Sequence, residues 1–120
     1  MSCAPKITLR SLLSPLPSAA SGEVSETLAA GAGGRIERIV SHGQASPAGF
    51  WYDQDEDEWV MVLAGWARLS IEGEADELEM NPGDAVLIPA HCRHRVAWTD
   101  PDEPTVWIAV FMKADPRPAP

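Results

Sequence analysis

The sequence predicts an all-β fold, a jelly-roll barrel of about eight or nine short strands. Three observations carry that prediction. Apolar and polar residues alternate with a period of two, as in Ala67-Arg68-Leu69-Ser70-Ile71-Glu72. Turn signals break these runs roughly every 7 to 12 residues. No stretch carries the apolar stripe of an amphipathic helix. An eight-stranded barrel also removes most of the exposed sheet edge.

Each element can be justified in turn. Residues 1–22 contain Pro5, Pro15 and Pro17 among many Ser and Ala residues, so a regular helix cannot run through them, and a loosely ordered arm is expected. The barrel domain is expected over 23–113. Glu23 to Ala29 alternates, and Gly31, Gly33 and Gly34 make a turn. That Gly-rich turn is not a dinucleotide site, because position 36 is Ile and no helix follows. Arg35–Ser41 is a strand, and Ser46-Pro47-Ala48-Gly49 punctuates the loop after it. Phe50 to Leu63 is extended with an acidic middle. Further strands are expected over Ala67–Glu72, Glu77–Met80, Ala85–Ile88, His94–Trp98 and Thr105–Met112. The turns between them are Gly65, Glu72-Gly73-Glu74, Asn81-Pro82-Gly83 and the Pro/Asp loop from Thr99 to Pro104. The Pro-rich tail, 114–120, is expected to be disordered.

Composition narrows the function classes. A chain of 120 residues is one domain with a modest core. Its formal charge of −9 argues against nucleic acid and anionic membranes as partners, since both need a basic face. No apolar run approaches a membrane span, and Ser11, Ser14, Pro15 and Pro17 break up what would be the core of a signal peptide. Cys3 and Cys92 are too few for a disulfide framework and read as free thiols in a reducing cytoplasm.

Strand parity selects the site. Side chains alternate faces, so Tyr52, Gln54, Glu56 and Glu58 fall with Val60 and Val62, while Asp53, Asp55 and Asp57 fall opposite. The strand is apolar on both faces after Glu58, so the carboxylate needs a partner: burying it alone would cost several kcal/mol. His94 is the natural partner, with Val96 and Trp98 on its face by the same parity. A carboxylate and an imidazole converging inside a barrel suit a divalent metal. Asp53, Asp55 and Asp57 begin like a calcium loop. That pattern fails where Glu58 replaces the turn glycine and Ala64 replaces the terminal glutamate, leaving a solvated acidic edge. No metalloprotease helix, phosphate loop or nucleophile elbow is present. Ser41-His42 has no orienting acid. Cys92 between His91 and Arg93 reads as a packed loop cysteine. Most of the five tryptophans read as core or dimer interface.

Gly83, Pro89 and His94, with Ala90-His91-Cys92-Arg93 between the last two, resemble the second signature motif of the cupin superfamily. Glu58, six residues, then Gly65 resembles the end of its first motif. The likeness spans about Arg35 to Met112 and is nearest to small single-domain bacterial cupins. It implies a double-stranded β-helix barrel and a divalent metal (Fe, Mn, Zn or Ni) held by Glu58 and His94 with help from Gln54 or His91. No nucleotide cofactor is implied.

The paired histidines of the first motif are missing. Their places hold Tyr52 and Gln54, or Trp51 and Asp53, depending on spacing, and parity favours the former. His91 stands where the motif has glycine, and its place so soon after Pro89 favours a loop position at the rim over a ligand's. Trp98 stands where the motif has asparagine. Tyr52, Asp53 and Trp98 are the candidate ligand-binding residues. The expected function is binding of a small organic molecule in a cytoplasmic homodimer, with oxygenase, isomerase or lyase chemistry. The alternatives are a metal-free binding or sensor module and a structural dimeric barrel.

Overall fold

A computed structural model describes residues 7–115, which form eight strands and, among the described residues, no helix. Residues 1–6, with Cys3, and residues 116–120 of the Pro-rich tail lie outside the described residues. The strands are β1 (Val24–Gly31), β2 (Gly34–Ser41), β3 (Glu56–Ala64), β4 (Ala67–Ile71), β5 (Leu78–Met80), β6 (Ala85–Ile88), β7 (His94–Thr99) and β8 (Thr105–Lys113). They form a five-stranded sheet in the order β1-β2-β8-β3-β6 and a three-stranded sheet in the order β5-β4-β7. Every pairing is antiparallel, and the two inner faces enclose the core, as expected of a double-stranded β-helix.

Alternation decides what the core contains. On β8, Thr105, Trp107, Ala109 and Phe111 are all buried. Because β8 lies between β2 and β3, Trp107 is opposite both Ile39 and Val62, Ala109 opposite Val60, and Phe111 opposite Glu58. The small sheet adds Ala67, Leu69 and Met80 to the same cluster. Each fully buried Val, Leu or Met side chain of this cluster contributes about 1.5–3 kcal/mol.

Two glycine turns set the strand connections. Gly65 (φ +94°) turns β3 into β4 against the start of β8, and a Cβ there would lie 2.5 Å from Thr105 Cα and 2.6 Å from Pro104 O. Both the dihedral and the space exclude any other residue. At Asn81-Pro82-Gly83-Asp84 the Asp84 N–H donates to Asn81 O at 2.9 Å, and Gly83 has φ +91°. That is a type II turn, with proline and glycine in the two places it favours.

The segment before β1 has no regular element, yet it is tied to the barrel. Arg38, 5% exposed on the outer face of β2, donates to Leu12 O at 3.1 Å and to Glu26 at 3.0 Å. Arg10 pairs with the same Glu26, and Gln44 donates to Ala19 O at 2.6 Å. Among the described residues no helix is long and apolar enough to cross a membrane.

Candidate functional site

The large sheet delivers Glu58 and the small sheet delivers His94. Glu58 sits in β3 with Phe111 on one flank and Ile88 on the other, so its carboxylate emerges from an apolar row. His94 opens β7 opposite Ile71. Both are buried, at 9% and 5% exposure, and His94 Nε2 lies 3.3 Å from Glu58 Oε1. Gln54 Nε2 donates to the same oxygen at 3.1 Å.

A short extended segment before β3 completes the wall. The Tyr52 N–H donates to His94 O at 2.7 Å, and the His94 N–H returns a bond to Tyr52 O at 3.2 Å. This bridge lays the Tyr52 ring against the imidazole, with centroids 5.4 Å apart and planes 27° apart. The His91 N–H then anchors Gln54 O at 2.7 Å, which keeps Gln54 beside Glu58.

The His94 Nδ1 lies 3.0 Å from Cys92 O. A carbonyl only accepts, so Nδ1 carries a proton, and Nε2 is the atom that gains or loses one facing Glu58. Burial pulls the His94 pKa down. The Glu58 hydrogen bond, the Cys92 carbonyl and the Glu58 charge together outweigh it, and the net shift is upward. Tyr52 is held above the usual phenol range by burial first, then by the charges of Glu23 and Glu58.

These groups line a cavity of about 230 Å³ with Val60, Leu69, Ile88 and Val96 as its apolar wall. Glu23, Glu37 and Trp107 also face it. Trp107 Nε1–H donates to Ser41 Oγ at 3.1 Å, and Ser41 donates to Glu23 Oε2 at 3.0 Å. Glu23 and Tyr52 are exposed members of this lining, so the cavity opens on their side, where a second hollow at Gln44–Pro47 shares them and Val96.

Tyr52, Gln54, Glu58 and His94 are thus brought together, and the Tyr52/Gln54 spacing is the one that faces the cavity. Three sequence candidates lie elsewhere. Trp98 does not share the face of His94: Leu69 pairs with Val96 but Arg68 with Trp98, so a bulge at Ala97 shifts the alternation by one. Trp98 packs instead against Trp66 (centroids 4.9 Å apart), with Arg68 lying over its ring. His91 is 67% exposed and pairs with Asp53 at 2.8 Å, which takes both residues to the rim and off the cavity wall. The His91 φ of 63° is left-handed, which accounts for glycine at this place in the motif.

Glu23 and Trp107 were missed. The alternation Trp107-Ala109-Phe111 marks Trp107 as inward-facing. The pairing of β8 with both β2 and β3 is what carries it to this cavity, and nothing local marks Glu23.

The fold implies a divalent ion at Glu58 and His94. Protein zinc, iron, manganese and nickel sites supply three or more strong ligands. Here there are two, and they hydrogen-bond each other, while the Gln54 amide donates where an ion would need an acceptor. Among the described residues no group of three or more His, Cys, Asp or Glu is arranged to hold an ion. The residues present do not fit a tightly held divalent metal.

The double-layered barrel and the Glu58–His94 pair define the class of protein. The sequence profile of the family described as "Cupin domain" matches residues 36–111, and the chain belongs to that family. Among solved structures it is similar to a Ralstonia eutropha protein described as a "putative mannose-6-phosphate isomerase", at 52% identity and a TM-score of 0.85, covering 92% of this chain and 100% of that one. A cupin superfamily protein from Desulfitobacterium hafniense shares the fold at 17% identity and a TM-score of 0.72, covering 92% of this chain and 94% of that one. KdgF from a Halomonas species does so at 21% identity and a TM-score of 0.65, covering 82% and 87%. No curated protein matches the chain in sequence.

Proposed function

We propose that the barrel binds a small organic molecule in the Tyr52–His94 cavity, and that Glu58 and His94 exchange protons with it in isomerase-type chemistry. The observation that carries this reading is the 3.3 Å contact between Glu58 Oε1 and His94 Nε2 at the wall of the cavity, next to the apolar side chains of Val60, Leu69, Ile88 and Val96. Isomerisation next to a carbonyl needs a base to take a proton from carbon and an acid to serve the oxygen. A buried carboxylate and an imidazole fixed at Nδ1 can fill those two roles. The Cys92 carbonyl fixes the tautomer, and Tyr52 stacks against the ring to hold its plane. The name given to the Ralstonia eutropha relative supports the reaction class, and its substrate is not carried over.

The test is carbon–hydrogen exchange. The chain is incubated with small aldoses, ketoses and their amino derivatives in D2O, and deuterium incorporation next to the carbonyl is followed by NMR. Incorporation that is lost in both Glu58→Gln and His94→Gln supports the proposal. Incorporation that survives either change removes the pair from the reaction.

A further inference from the structure

We propose that the cavity takes a small organic cation, a protonated amine with a short carbon body, and discriminates against sugar phosphates. The inference rests on the reading of this cavity as a ligand site and adds the charge of what enters it.

Three carboxylates face the cavity, and their partners differ. Glu58 is matched by His94, and Glu37 by Arg35, whose Nε lies 2.7 Å from its Oε2. Glu23, at the mouth, accepts from the neutral Ser41 hydroxyl, and among the described residues no lysine or arginine pairs with it. Its charge faces the entrance uncompensated.

Nothing on the cavity wall offsets it. Among the described residues no lysine or arginine lines the cavity. Arg35 is spent on Glu37 and Glu56, Arg38 lies on the outer face, Arg93 pairs with Glu72, and Arg95 donates to the carbonyls of Ser46 and Pro47. A phosphate entering here would meet the Glu23 carboxylate with no lysine or arginine to pair with, and with His94 already engaged by Glu58, which is unfavourable.

An ammonium group meets the opposite situation. Glu23 offers a charge-assisted hydrogen bond, and the rings of Tyr52 and Trp107 on the same cavity present π systems that attract a cation. The Ser41 hydroxyl, held from behind by Trp107 Nε1–H, orients the Glu23 carboxylate at the mouth. Val60, Leu69, Ile88 and Val96 are suited to a short hydrocarbon body. At about 230 Å³ the cavity holds on the order of eight groups the size of a water molecule.

The experiment titrates the full chain, labelled with nitrogen-15, with n-butylammonium, n-butanol, mannose 6-phosphate and inorganic phosphate, following the Trp107 indole resonance. Butylammonium is expected to bind about threefold to fivefold tighter than butanol, the increment of a charge-assisted hydrogen bond to a solvent-exposed carboxylate. Its affinity should fall with added salt, and Glu23→Gln should bring it down to that of butanol. Neither phosphate should shift the resonance. Butanol binding as tightly as the amine, with no salt dependence, would leave the cavity a ligand site and overturn the cation. So would either phosphate binding tighter than the amine. If no probe moves the resonance, the cavity is not a ligand site and both readings fall.

Discussion

Glu58 and His94 meet at 3.3 Å across the barrel, the carboxylate from the interior of the large sheet and the imidazole from the edge strand of the small one. Because the contact joins the two layers, it is a stability element as well as a proton-transfer pair. The His94 pKa is raised in the folded state, so folding favours the imidazolium. The stabilisation from this group is complete below the unfolded value of about 6.5 and is lost as pH rises through the higher folded value. Chemical denaturation from pH 5.5 to 9 should show that loss. In Glu58→Gln the imidazole resonances should titrate at lower pH than in the unaltered chain, and the loss should shrink.

Metal analysis of the chain purified without a nickel column is expected to find far less than one divalent ion per protein. Two mutually bonded ligands and an amide donor do not make a tight site. A stoichiometric ion that disappears in His94→Ala would contradict this account of the donor set.

Trp98 and Trp107 should behave as opposites. Trp98→Ala removes a ring that packs on Trp66 and Arg68 outside the barrel, and should leave butylammonium binding unchanged. Trp107→Phe keeps most of the buried ring area but removes the hydrogen bond to Ser41, which costs about 1 kcal/mol of stability. It should also weaken amine binding, because Ser41 no longer holds Glu23 in place. Thermal unfolding and titration of the two variants check both statements, with the Tyr52 and His94 backbone amide resonances followed in Trp107→Phe.

Gly65→Ala should be among the most damaging single-methyl changes in the chain. The added carbon would sit 2.5 Å from the Thr105 backbone in a left-handed residue, so β8 has to move. At Gly83 the dihedral is equally left-handed, but nothing lies within 4 Å of the added carbon. Gly83→Ala should therefore cost only the conformational strain, about 1–2 kcal/mol, as read by urea unfolding.

Arg38→Ala should free the segment before β1. The guanidinium links Leu12 O to Glu26, and Glu26 also holds Arg10. Limited proteolysis should cut residues 7–22 faster in the variant while the barrel stays resistant.

The sequence by itself determined the strands and much of the site. Period-two alternation in strands such as Ala67–Ile71 and short apolar runs in others, stopped by Pro/Gly turns, mark the strands, so strand positions follow from local chemistry. The same parity put Tyr52, Gln54 and Glu58 on one side, and the three do line one cavity although β3 begins only at Glu56. It failed at Trp98, where the bulge at Ala97 shifts the count by one, and a bulge leaves no local mark in Arg95-Val96-Ala97-Trp98. The presence of Glu23 and Trp107 at the cavity was decided by tertiary structure, Trp107 through the pairing of β8 with both β2 and β3. The rim position of His91 agrees with its place just after Pro89, and the left-handed turn and Asp53 are what the structure adds. The physical reason is range: alternation is a property of neighbours along a chain, whereas a cavity is made by strands that are neighbours only across a sheet.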